Sequence, residues 1–174
     1  MALYEFDGKR PQVPSDSFVH PDAVLTGDVK IGHECLIAPG VSIRGDFGPI
    51  RIRDRSSVQD NAVIHVYPGS QVIIENDVTI AHGVILHDVH IKSRCVIGIG
   101  AIVLFNVVCE EDVFVSVGSL VTKGMHIPAG KIVAGNPAKI THDATEDQKK
   151  VAKEGIDYYR ELCRKYIATM KKFD

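Results

Sequence analysis

Three histidines, His65, His82 and His87, are the residues of this sequence best placed to do chemistry. Imidazole is the commonest protein ligand for a divalent metal ion and bonds through one ring nitrogen at about 2.0–2.1 Å. An ion held by three neutral imidazoles lowers the pKa of water from 15.7 to about 7, which makes hydroxide available near neutrality. Arg44 and Gln59 lie in the same stretch of chain. Single histidines are ordinary surface residues, so the chemistry depends on whether the backbone can bring these three together.

A repeat identifies the elements that must position them. An aliphatic residue returns every six positions at Val13, Val19, Leu25, Ile31, Ile37 and Ile43. After a short insertion it resumes at Ile52, Val58 and Ile64, after another at Ile74, Ile80 and Leu86, and then from Ile91 through Val133. Four residues after these positions, small ones recur, among them Ala23, Cys35, Ala62, Cys95 and Ala101. A helix repeats near 3.6 and a simple strand at 2, so neither explains a period of six. Three hexads closing one triangular coil do explain it. The large aliphatic is expected to fill a corner and the small residue the crowded wall beside it. Coils stack at about 4.8 Å, and residues 13 to about 138 leave room for roughly seven of them. This predicts an all-β chain, a parallel β-helix.

The register assigns each polar residue an edge. Arg44, His65 and His87 each follow a key aliphatic (Ile43, Ile64, Leu86), and these aliphatics are one full coil apart. The three therefore stack in one outward column, where two imidazoles about 4.8 Å apart can share a metal ion. His82 lies one hexad before His87, roughly 16 Å along a wall at about 3.3 Å per residue. It cannot easily reach the same ion from within one chain but can from a neighbouring subunit, and the cyclic solution for a triangular prism is a homotrimer with one site per interface.

The segments Arg44-Gly45-Asp46, Gln59-Asp60-Asn61 with His65, and Ala81-His82-Gly83 with His87 resemble the gamma-class carbonic anhydrase superfamily. The resemblance covers nearly the whole chain, from the Tyr4 segment through Gly135-Asn136-Pro137-Ala138 to the terminal helix with Tyr159. It is nearest to a short-loop branch that includes a phenylacetate-degradation operon protein. It implies a left-handed helix, against the general preference for right-handed crossovers. It also implies that His65 and His87 of one subunit and His82 of the next bind Zn2+, with Fe2+ or Co2+ as substitutes. Gln59 would face the bound water or bicarbonate. Arg44, Asp46 and Asp60 would form an ion-pair network at the subunit boundary, and Tyr159 would approach the pocket from the helix. The implied activity is hydration of carbon dioxide to bicarbonate, a lyase reaction. Three alternatives stand beside it: an acyl-CoA thioesterase, a hexapeptide acyltransferase and a structural trimer. This chain departs from the family's archetype at Phe47, where a glutamate stands, at Ser57, where an asparagine stands, and in the acid-free loop Val66–Gln71. The proton shuttle is therefore missing or different, and slow, buffer-dependent turnover is expected.

Composition limits the partners. Formal net charge is −2 with no basic tract, which argues against nucleic acid and anionic membranes. No apolar run is long enough to span a membrane and the first residues lack a signal-peptide core, so a cytoplasmic chain is expected. Cys35, Cys95, Cys109 and Cys163 form no CxxC pair and read as small buried hydrophobes. The expected organisation is a lead-in over 1–12, the β-helix over 13–140 and a terminal helix over 141–174. A capping box at Thr145 and Gln148 opens that helix, and its apolar face runs from Val151 through Ile167 and Met170.

Overall fold

Each hexad becomes one short strand and one corner. In the computed structural model, which describes residues 2–173, the strands stack in three walls of a triangular prism. The first wall contains the lead-in strand Ala2–Tyr4 and the opening halves of Val24–Ile31, Ser42–Ile52, Ile85–Ile91 and Ile102–Cys109. Val63–His65 and Leu120–Val121 complete it. The long strands turn a corner and continue into the second wall, beside Val72–Ile74 and His126–Ile127. The third wall is a separate sheet running from Phe18–Val19 up to Lys131–Gly135. The result is a left-handed parallel β-helix of about seven coils carrying one C-terminal helix.

The inward aliphatics stack as register partners. Leu25, Ile43, Ile64, Leu86, Val103 and Val121 descend the first wall, all with no exposed surface. Each such side chain contributes about 1.5–3 kcal/mol of burial, while the ladder satisfies the backbone between coils. The two inward sites are reversed from expectation. The large aliphatics sit within the wall strands, and the small residues stand just past the corners. Val41, Ala62 and Val84, for example, each follow a left-handed residue (Gly40, Asn61, Gly83). The sharp turn crowds that inner space, so a small side chain fits there.

At the corner between the second and third walls the left-handed position is held in successive coils by Glu34, Arg55, Asp77, Arg94 and Asp112. Their charges alternate. Arg55 bonds Asp77 through two contacts of 2.7 and 2.8 Å, and Arg94 bonds Asp112 through two of 2.8 Å.

After Pro137 the chain folds back as an antiparallel strand, Ala138–Asp143, on Lys131–Gly135. The helix Glu146–Thr169 then opens with the reciprocal Thr145–Gln148 capping box. It runs along the outer face of the third wall, whose outward column is Phe18, Leu36, Ser57, Thr79, Val96 and Phe114. Phe18 stacks on Tyr166 with centroids 4.8 Å apart, and the buried Cys163 thiol points to the Cys35 carbonyl at 3.2 Å. Ile156 and Cys163 are the buried residues of the helix, whereas Val151 is 66% exposed and Ile167 47%, so the docked face is narrower than the apolar spacing suggests. Arg160 and Arg164 reach Glu34. All four cysteines are free and buried, and burial pushes the Cys35 and Cys109 thiols up to about 12. Among the described residues no helix is long and apolar enough to cross a membrane.

Candidate metal centre

The first wall presents two outward columns. One carries Thr26, Arg44, His65, His87 and Leu104 as successive register partners. The rings of His65 and His87 lie 4.9 Å apart, with His65 Nδ1 and His87 Nε2 separated by 3.0 Å. Ligands on a tetrahedral ion with bonds of 2.0–2.1 Å stand about 3.3 Å apart, so these nitrogens need to spread only slightly to share one.

The remaining nitrogen of each ring is anchored to a carboxylate. Asp46 Oδ1 lies 2.9 Å from His65 Nε2, and Asp88 Oδ2 lies 2.6 Å from His87 Nδ1. This carboxylate–histidine pairing is how metal-binding imidazoles are oriented and made more basic. Burial opposes ionisation of Asp46, but His65 and Arg44 outweigh it and hold its carboxyl below the ordinary range. Asp88 is 5% exposed, and burial again opposes its charge. The Tyr67 amide, donating at 2.7 Å, and His87 together outweigh that penalty. Asp88 therefore pins both the ring and the start of the Tyr67 loop. Sequence reasoning missed this residue. Its one signal was an acid directly after His87 at a left-handed corner, where Asp is also an ordinary turn residue.

Two aromatic rings flank the pair. Phe47 lies 5.7 Å from His65, and Phe105 meets the His87 ring edge-on at 5.0 Å. Phe105 holds φ = +39°, a strained conformation for a bulky side chain. His90 lies past the corner on the second wall and is tied to Glu75 at 2.8 Å.

The other expected residues gather at a different edge. His82 follows the strand Thr79–Ile80 at the corner opening the first wall, its side chain 46% exposed and its Nδ1 2.9 Å from Asp60 Oδ2. Gln59 precedes Asp60 there and is 4% exposed. Tyr159 is half-buried on the helix. Burial raises its pKa first, and the nearby Asp60 charge adds to the shift. One chain thus brings together Arg44, Asp46, His65 and His87, and separately Gln59, Asp60, His82 and Tyr159. Among the described residues of one chain no group of three ligands can hold a metal ion.

Hexad coils with this histidine column define a class of hexapeptide-repeat proteins, and comparison with known proteins agrees. The family model described as bacterial transferase hexapeptide (six repeats) matches residues 10–45. The chain is 36% identical to a carbonic anhydrase of Geobacillus kaustophilus, covering 92% of both chains. It is 30% identical to the carnitine operon protein CaiE of Salmonella agona, covering 98% of this chain and 88% of that one. Among solved structures it superposes with a TM-score of 0.94 on a Bacillus cereus protein provisionally named as an acetyltransferase. That match is 36% identical and covers 96% of this chain and 97% of the other. The chain belongs to the gamma-class carbonic anhydrase-like superfamily of hexapeptide-repeat proteins.

Proposed function

We propose that this protein hydrates carbon dioxide to bicarbonate with a divalent ion held between subunits of a homotrimer. His65 and His87 of one subunit and His82 of its neighbour would hold it. The observation that carries this reading is the pair of facing ring nitrogens, each ring anchored by a carboxylate behind it. The donor set of neutral imidazoles suits Zn2+, and Fe2+ or Co2+ can replace it. When bound, the ion supplies the Lewis acidity that brings water's pKa to about 7. Asp46 and Asp88 fix the rings, and Arg44, paired with Asp46, neutralises the carboxylate beside the site. Gln59 and Tyr159 share the corner of His82, so they would enter the site from the neighbouring subunit together with it. Gln59 then orients the substrate by hydrogen bonding. With Phe47 and an acid-free loop near the histidines, the departing proton passes to buffer.

The surface of the first wall supports the trimer. Its second outward column includes Val24, Val63 and Ile85, each 38–41% exposed. Ile99 (51% exposed) and Val117 (70%) repeat the turn position of His82 in the next two coils. An apolar stripe beside His82 suits burial against another copy. Four buried free thiols suit a reducing compartment such as the cytoplasm.

A second reading, cleavage of an acyl-CoA thioester, is favoured by one observation: the Phe47 and Phe105 rings give the histidines apolar walls that suit an acyl group. Metal analysis after chelator-free purification, with side-by-side assays of carbon dioxide hydration and acyl-CoA cleavage, separates the readings. One ion per chain with hydration lost in His87→Ala supports the first. Cleavage alone supports the second, and transferase activity without metal defeats both.

A further inference from the structure

We propose that the second wall carries a binding groove for a small molecule bearing a diphosphate, apart from the histidine column. A groove of about 670 Å3 runs over this wall and its corner with the third, within the ordinary range for small-molecule sites. Its floor is Gly32, which stands in the outward column next to Arg53. A Cβ there would meet Asp54 Oδ1 at 2.5 Å and the Arg53 backbone at 2.7 Å, so no side chain can fill the notch.

One pair of charges beside it breaks a rule that the rest of the wall keeps. Higher up, acids and bases face one another: Glu75 holds His90 at 2.8 Å, and Glu110 holds Lys92 at 2.6 Å and His126 at 2.8 Å. Beside the groove Lys30 and Arg51 are direct register partners, while Arg53, on the same face two residues further on, keeps the alternation with Glu75 as its neighbour in the next coil. Like charges directly opposite on neighbouring strands are destabilising. Arg51 is occupied by Asp28 at 2.7 Å, but among the described residues Lys30 and Arg53 have no ion-pair partner within 4.0 Å. The carboxylate lining the groove, Asp54, already accepts from the His33 amide at 2.8 Å. With Arg51 held by Asp28, the remaining cations Lys30 and Arg53 outnumber the acid Asp54 by one around the notch that Gly32 leaves open.

Lys30 and Arg51 are one coil apart, about 4.8 Å, and Arg53 is about 7 Å along the strand. That spread fits two linked phosphoryl groups better than one. The apolar edges of Val13, Ile31 and Ile52, with the Asn76 amide, leave room for an attached organic group. The chemistry recognised is the diphosphate, supplied as free pyrophosphate or as part of a nucleoside diphosphate.

Isothermal titration of the full-length protein with pyrophosphate and with ADP, at 50 and 200 mM salt (roughly the range over which phosphate contacts are screened), tests this. Binding that weakens with salt is expected. Lys30→Gln and Arg53→Gln, both exposed positions, should each weaken it about tenfold, as loss of one charge-assisted bond implies. Lys139→Gln, on the terminal hairpin, should change nothing. Binding of ADP alone identifies the nucleotide as the source, and binding of pyrophosphate alone identifies the free diphosphate. Binding of both assigns recognition to the diphosphate itself. The variants keep all three metal-site histidines, so a diphosphate captured by a metal ion would bind them as well as it binds the wild type. That result, or no binding of either probe at millimolar concentration, overturns the proposal.

Discussion

Asp88 holds the His87 ring from behind. It fixes the face that His87 turns outward, and it is buried enough that water cannot take its place. Asp88→Asn keeps the shape but removes the charge that holds the ring, so metal affinity is expected to fall about 10–100-fold with the coils intact. Competition with a chelator measures this, and unchanged affinity would mean that His87 is oriented from elsewhere. Phe47 gives a second expectation. It is 53% exposed and 5.7 Å from His65, where a carboxylate could take up a proton. Phe47→Glu should raise carbon dioxide hydration at low buffer and flatten its dependence on buffer concentration. No change at low buffer would place the proton's exit elsewhere. The column of His65 and His87 was legible in the sequence because the six-residue count fixes it. Asp88 was not, because an acid at a corner also serves the turn, and only burial separates the two roles.

The terminal helix shows what periodicity can and cannot tell. Its start was legible from Thr145 and Gln148, because a capping box is local chemistry. Its buried face was overestimated, because the strands of the third wall beneath it are two residues long and offer a single outward column. A helix laid on one column buries a narrow line, and Val151 and Ile167 fall outside it. The hairpin strand Ala138–Asp143 was also hidden, since Asn136–Pro137 reads as a stop rather than a reversal. Docking of the helix should depend on pH. Arg164 lowers the Glu34 pKa, partly opposed by burial and reinforced by Arg160. A carboxyl with a depressed folded pKa contributes stability above its unfolded value of about 4.3, and loses it as pH falls through the lower folded value. Near-ultraviolet dichroism from the Tyr166–Phe18 stack should therefore decline below about pH 4.3. Glu34→Gln should show a weaker signal already at neutral pH and a smaller acid step. An acid step as large as the wild type's would mean that another group anchors the helix.

For the whole molecule, the separation of His82 from His65 and His87 makes a sharp expectation about assembly. His82→Ala and His65→Ala should each lose metal as homotrimers. Refolded together, a mixed trimer gains one complete site, where the His82→Ala chain gives its intact pair and the His65→Ala chain gives its His82. Partial return of metal and activity is expected only in the mixture. If trimers are shown to have mixed and nothing returns, the three histidines do not meet across an interface. The edge on which Glu34, Arg55, Asp77, Arg94 and Asp112 alternate has a different consequence, for how such a prism can change height. Excising residues 55–76, a single coil, would set Glu34 directly against Asp77, and like charges facing across neighbouring strands repel. Excising residues 55–93, two coils, would set it against Arg94 and keep the alternation. The backbone repeats by one coil but this edge repeats by two, so insertions and deletions here are tolerated by parity, with even numbers of coils passing and odd numbers penalised.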